Sequence, residues 1–393
     1  MSRRIPAWCA ATLAILIAGC TNTPQTPHPG ETKIGAKPVI LPATLAGNAL
    51  IVTAKSGRGG PYHFLVDTGS SRTLVTPGLL AQWGDKAEGS WPRELTVESA
   101  DGKKTTLATA TLPRLYLGAA RFEEVPVLIY DCSALSEELG VKIDGILGFS
   151  LFRQVILTLD YPHAQVILRS ISSQPAVVGS SLAMSTTENV PVVTVRLGAR
   201  PINALIDSGR EEAMSLDRAV GGAADFSFGP IDGLTVHDVV GDHRQRIGRL
   251  KESLHLGDLA VTAPVSELNN DLSALGGGVL KNFSVTFDQE AGRVTFDRPE
   301  SDVVTIPAVR SAGLSFSRTP AYWRVAAVVP GSPADKAGVA AGDLVTKIGG
   351  EPVSKWNKAR YDGLLAAVDA VRLTFLQGKN EVEKTLPVTE LVP

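Results

Sequence analysis

Apolar positions along this chain come in short runs. Val, Leu, Ile and Thr cluster over a few residues and then give way to Gly, Pro, Asn, Asp or Ser. That punctuation predicts short strands joined by turns, a mainly β protein rather than a helical bundle. Three stretches depart from it. "AWCAATLAILIA", Ala7 to Ala18, is an unbroken apolar run after Arg3 and Arg4 and before Gly19 and Cys20. These are the parts of a secretory signal, and the run is shorter than the about 20 residues a membrane span needs. Residues 20–38 are polar and proline-rich without apolar period, which predicts an extended tether. Near the other end, "WNKARYDGLLAAV" from Trp356 to Val368 has helical character despite Gly363, and Ser332, Pro333 and Gly338 frame a short helix as N-cap, first-turn proline and C-terminal glycine.

One acidic residue stands out against its apolar surroundings. In "FLVDTGSSRTLV", Phe64 to Val75, Asp67 lies between three apolar residues and a Thr-Gly-Ser turn. Asp and Gly are ordinary turn residues, so the triplet alone says little. A second copy changes this: "ALIDSGREEAMS", Ala204 to Ser215, places Asp207, Ser208 and Gly209 140 positions later. The repeat continues in order. "ELTVESADGKK" matches "GLTVHDVVGDH", "LYLG" ending at Gly118 matches "LHLG" ending at Gly257, and "ILGFSLFRQVILTLD" matches "ALGGGVLKNFSVTFD". Each copy therefore predicts strands, an Asp-Thr/Ser-Gly loop, a hairpin with Gly and Asp at its tip, a Leu-Gly strand pair, an apolar-Leu-Gly segment and a closing strand pair.

With both copies in view, the chain resembles a retropepsin or pepsin-type aspartic protease with two lobes fused in one polypeptide. The resemblance spans about Val39 to Pro299 and rests on the ordered pair "LVDTGS…ILG" and "LIDSG…ALG". It implies two β-barrel lobes related by a pseudo-twofold axis, over residues 39–172 and 173–300, with Asp67 and Asp207 as a catalytic pair. Two carboxylates about 3 Å apart share one proton, so one can activate water while the other polarises a peptide carbonyl. The resemblance further implies that Thr68 and Ser208 brace the two loops. Gly69 and Gly209 would let the backbone turn tightly, and the hairpin at Asp101 and Gly102 would be a flap over the substrate. The second copy departs from the pattern, with Arg210, Glu211 and Glu212 where small residues are expected. Arg210 aimed at the pair would hold Asp207 ionised, and Arg210 aimed at solvent would leave it unaffected.

After the second copy the composition shifts, and residues 308–393 resemble a bacterial PDZ domain, with "GLSF" (Gly313, Leu314, Ser315, Phe316) at the position of the carboxylate-binding loop. Such a domain adds a peptide as an extra strand. The ending "LIAGC" likewise resembles the lipobox of bacterial lipoproteins, which implies a signal peptide over 1–19, lipidation at Cys20 and tethering in the cell envelope. Thr21 suggests the outer membrane, facing the periplasm.

Length and charge narrow the rest. At 393 residues the chain has room for about two or three domains. Lys and Arg (38) nearly balance Asp and Glu (40), so nothing argues for a nucleic-acid partner. If Cys9 leaves with the signal and Cys20 carries lipid, only Cys132 remains in the folded part, as a small buried hydrophobe. "GFSLF" lacks the closing glycine of a serine-hydrolase elbow, and His237, Asp238, Asp242 and His243 follow no known metal-ligand spacing. The expectation is an aspartic endopeptidase with polypeptide substrates and with neither metal nor cofactor. The alternative is a non-catalytic, peptide-binding scaffold of the same shape.

Overall fold

A computed structural model describes residues 29–57, 59–83, 93–98, 104–173, 178–238, 241–270, 272–298, 301–319 and 321–393. Side chains at 233–245 are outside the description, as are the expected lipidation site Cys20 and the flap tip Asp101 and Gly102. The described chain is mainly β, as its apolar punctuation predicts.

The two sequence copies fold alike around their aspartate loops. In the first, strand Tyr62–Asp67 ends on the aspartate, and Thr73–Val75 begins after the turn. The apolar-Leu-Gly segment, Gly145–Gly148, slots between them, parallel to the first and antiparallel to the second. In the second copy Ala274–Leu275 lies between Arg200–Ile206 and Met214–Asp217 in the same two senses. The closing glycines are needed because of close approach. A Cβ on Gly148 would sit 2.2 Å from the Arg72 carbonyl oxygen, and one on Gly276 2.3 Å from that of Glu212. The Leu-Gly turns also match, with left-handed Gly118 (φ 58°) and Gly257 (φ 65°) closing the paired hairpins, a conformation glycine adopts without strain.

Between the halves runs a shared sheet, in the order Val39–Pro42, Gln165–Ser170, Val155–Asp160, Ser284–Asp288, Arg293–Asp297 and Ser180–Ser185. At its centre the two closing strands pair antiparallel, Leu157 with Phe287 and Leu159 with Val285. Val155–Asp160 is buried along its whole length, its polar Thr158 and Asp160 included. Phe149 meets Phe287 edge to face at 5.5 Å, which ties the first copy's loop segment to the second copy's strand. A single apolar core therefore spans both halves.

Residues 29–38, the end of the expected tether, lie against the first half. Thr32–Lys33 pairs with Arg121 and Phe122, because the strand Ala120–Ile129 offers free backbone groups on that side.

A separate core runs from Ala312 to Val388. Its strands lie in the order Leu314–Arg318, Trp323–Val328, Leu344–Ile348, Ala370–Gln377 and Asn380–Pro387. The short helix Pro333–Lys336 is capped by Ser332, whose hydroxyl accepts from the Asp335 N–H, and Gly338 follows it at φ 68°. Asn357 caps the longer helix Lys358–Ala367. This module docks on both halves. Arg318 reaches Glu138 at 3.5 Å, Lys358 reaches Glu211 at 2.8 Å, and the hairpin Phe226–Asp238/Gly241–Leu250 packs against the module's first two strands. Among the described residues no helix is long and apolar enough to cross a membrane.

Candidate active site

The two aspartate loops meet back to back. The Thr68 hydroxyl donates to the Ile206 carbonyl at 2.7 Å and accepts from the Ser208 N–H at 3.0 Å. The Ser208 hydroxyl returns the arrangement, donating to the Val66 carbonyl at 2.8 Å and accepting from the Thr68 N–H at 3.0 Å. Both side chains are fully buried, so these bonds cannot be exchanged for water.

The brace presses each carboxyl against the other loop. A Cβ on Gly69 would lie 2.4 Å from Asp207 Cγ, and a Cβ on Gly209 2.4 Å from Asp67 Cγ. Neither position has room for a side chain. Within its own loop, Asp67 Oδ1 accepts from the N–H of Gly69 at 2.9 Å and of Ser70 at 3.1 Å, and Asp207 Oδ1 accepts from Gly209 at 3.0 Å. The two carboxyls interact directly. Burial and, next, the charge of Asp207 hold the Asp67 carboxyl well above the usual carboxylate range, against the pull of the Ser70 and Gly69 N–H groups.

Arg210 points at the pair rather than at solvent. Its Nε lies 3.7 Å from Asp207 Oδ2, and its Nη1 donates to Glu267 Oε2 at 2.8 Å. Sequence reasoning flagged Arg210 but missed Glu267, which lies 57 positions away and reaches the site only because strand Val265–Asn270 runs parallel to Met214–Asp217. It also missed Tyr161, whose buried phenol is held protonated by burial and by the charges of Asp207 and Asp67. An aromatic residue directly after a closing strand was the available signal, and the second copy has Gln289 there.

Residues 52–151 match the aspartyl protease family. The matched aspartyl protease domain contains Asp67, its turn and the Gly145–Gly148 segment, and it ends before the second loop. Residues 324–377 match the PDZ domain family, a peptide-binding module, so the two domains together imply peptide substrates or ligands. No curated protein matches the chain.

The PDZ match begins after the expected carboxylate-binding loop. There Gly313 is left-handed at φ 89°, and strand Leu314–Arg318 starts at its edge of the sheet. Phe316 contacts Trp323 at 5.4 Å and Tyr361 of the long helix at 5.5 Å, so aromatic rings line the space between strand and helix. Cys132 is a fully buried thiol pushed up to about 12 by burial and by Asp131 and Asp144, which suits packing rather than nucleophilic work. Among the described residues no three His, Cys, Asp or Glu side chains are grouped to hold a metal ion.

Proposed function

We propose that this protein is an aspartic endopeptidase whose two halves act as the lobes of one protease, with Asp67 and Asp207 as its catalytic pair. The observation that carries the reading is the reciprocal Thr68/Ser208 exchange, which sets each carboxyl against the opposite glycine and leaves a single proton for two acids. Asp207, ionised, takes a proton from the attacking water. Asp67, protonated, donates to the scissile carbonyl oxygen, so water oxygen bonds to carbon as the C=O π bond opens to a gem-diol. Collapse of the diol then breaks the C–N bond, the amine leaves with the proton that Asp207 collected, and a diol hydroxyl returns a proton to Asp67. Asp101 and Gly102 would close over the substrate in this scheme.

Gly313, Leu314, Ser315 and Phe316 would hold the end of a peptide that lies as an added strand along Leu314–Arg318 and so deliver or orient substrate. The lipobox-like "LIAGC" supports a lipid anchor at Cys20 and residence in a bacterial envelope.

The second reading, a peptide-binding scaffold without turnover, is favoured by one observation, the Arg210 guanidinium beside Asp207. A cleavage assay on denatured protein substrates from acid to neutral pH separates the two. Turnover in the wild type and its loss in Asp67→Asn is the expected result, and identical behaviour of the two proteins removes the enzyme reading.

A further inference from the structure

The two aspartate loops are built from different materials. Strand register aligns them: Leu74 pairs with Ile146 and Leu128 in the first half, and Ser215 pairs with Ala274 and Glu267 in the second. Glu267 thus occupies the place of Leu128, and Arg210 that of Ser70. Both Leu128 and Glu267 are 1 % exposed. The first half fills this place with a methyl-bearing side chain and a hydroxyl, and the same local fold forms.

Burying an ion pair where an uncharged pair serves the same strands is costly, because both charges lose water. The fold therefore does not explain the Arg210–Glu267 pair. Its placement does have an electrostatic consequence. Asp67 is satisfied by two neutral N–H donors, whereas Asp207 receives the Gly209 N–H and a guanidinium whose Nε is 3.7 Å from Oδ2. A cation beside only one of two proton-sharing acids removes their equivalence and favours the state with charge on that acid. Glu267 anchors the cation and offsets part of its charge at 2.8 Å.

We infer that Arg210, held by Glu267, is a positioning residue that keeps the pair's negative charge on Asp207 and its proton on Asp67, so that the singly protonated state extends to lower pH. The inference rests on the aspartic peptidase reading for its kinetic consequence. Among the described residues, the groups that face the pair are Arg210 from its own loop, Glu267 from the neighbouring strand and the Tyr161 phenol from the end of the first closing strand. Tyr161 stays neutral across acid and neutral pH, since burial, Asp207 and Asp67 all raise it. Arg210 and Glu267 therefore set the asymmetry.

The two members act with opposite sign. Loss of the cation in Arg210→Gln moves the acid limb of the kcat/KM profile upward by about 1 to 3 pH units, the range for an opposite charge at this distance. Loss of the anion in Glu267→Gln leaves the cation less offset and moves the limb downward. Arg210→Lys, which keeps the charge, returns it toward the wild-type position. A merely structural pair would lower activity in both variants without moving the limb in opposite directions.

Arg210→Gln leaves Glu267 buried opposite a neutral partner and can fail to fold, so the Arg210→Ser/Glu267→Leu double variant, which copies the first half, is made alongside it. The full chain, labelled with carbon-13 at the aspartate carboxyls, is titrated by NMR in parallel with the cleavage assay. The expected result is an upward shift of the acid limb, and of the pair's first deprotonation, in the double variant. An active wild type with both unmoved in that variant overturns the inference and leaves the peptidase reading standing. An inactive wild type overturns the peptidase reading, and the carboxyl titration alone then decides the inference by the same shift.

Discussion

The loop after Asp67 and the loop after Asp207 perform mirror-image hydrogen bonding with unlike support. From Thr68 to Thr73, excepting Gly69, every side chain of the first loop is at least nine-tenths buried. The second loop is open on its outer side. Asn48 of the first half donates to the Glu211 carbonyl at 2.6 Å, and Lys358 of the PDZ module binds the Glu211 carboxylate at 2.8 Å. The Lys358 ammonium loses ground to burial but is carried above its usual range by Glu211 and Asp362 together. The second loop therefore meets the PDZ domain directly through this ion pair, which places a peptide-binding module next to the loop that carries Asp207. Matching hydrogen bonds in the two loops do not require matching environments.

The comparison breaks most sharply at the aspartates. Asp67→Asn and Asp207→Asn should each lower kcat by about 100- to 10,000-fold, the usual contribution of a positioned acid or base. Steady-state cleavage checks this, and survival of activity in Asp207→Asn would transfer the pairing to two Asp67 loops from separate chains.

The brace is the next largest effect. Thr68→Val leaves the Ile206 carbonyl and the Ser208 N–H without their partner, and Ser208→Ala does the same to the Val66 carbonyl and the Thr68 N–H. Each should cost about 1–3 kcal/mol by urea unfolding. A clearly unequal cost would mean that the halves share the brace unequally.

A pH comparison sharpens the asymmetry of the acids themselves. Asp67 has a raised pKa in the folded chain, so its protonated form is favoured by folding, and that contribution is fully present below the unfolded value of about 3.9. It is lost as pH rises through the folded value. Asp67→Asn should therefore raise the urea midpoint at pH 7, and the gain should shrink to nothing below about pH 4. A gain that is constant with pH would assign it to packing.

The smallest effect is at the PDZ contact. Lys358→Met removes the ties to Glu211 and Asp362, partly exposed pairs each worth under about 1 kcal/mol. It should leave the unfolding midpoint nearly unchanged. Limited proteolysis at 307–311 should become faster, because the module releases before either core opens.

The legible part of the site was whatever repeats. "DTG" and "DSG", with their later "ILG" and "ALG", are fixed by local needs: a turn, two glycines with no space for Cβ, and apolar strands on both sides. Those needs leave the same marks twice. Glu267 left no mark, since a single Glu in "VSELNN" reads as a surface position of an alternating strand. Its burial follows from the parallel pairing of that strand with Met214–Asp217, and strand pairing between distant segments is not encoded in either segment alone.

The sequence by itself determined the mainly β class, the doubled aspartate loop and a separate PDZ module after the second copy, because each depends on short-range chemistry that spacing preserves. Tertiary structure alone decided that Val155–Asp160 and Ser284–Asp288 join the halves into one sheet. It also decided that Arg210 turns inward to Asp207 and that the PDZ domain rests on the loop beside it. Those outcomes depend on which surfaces meet. A charged side chain takes its direction from the partner that folding brings within reach, and for Arg210 that partner is Glu267.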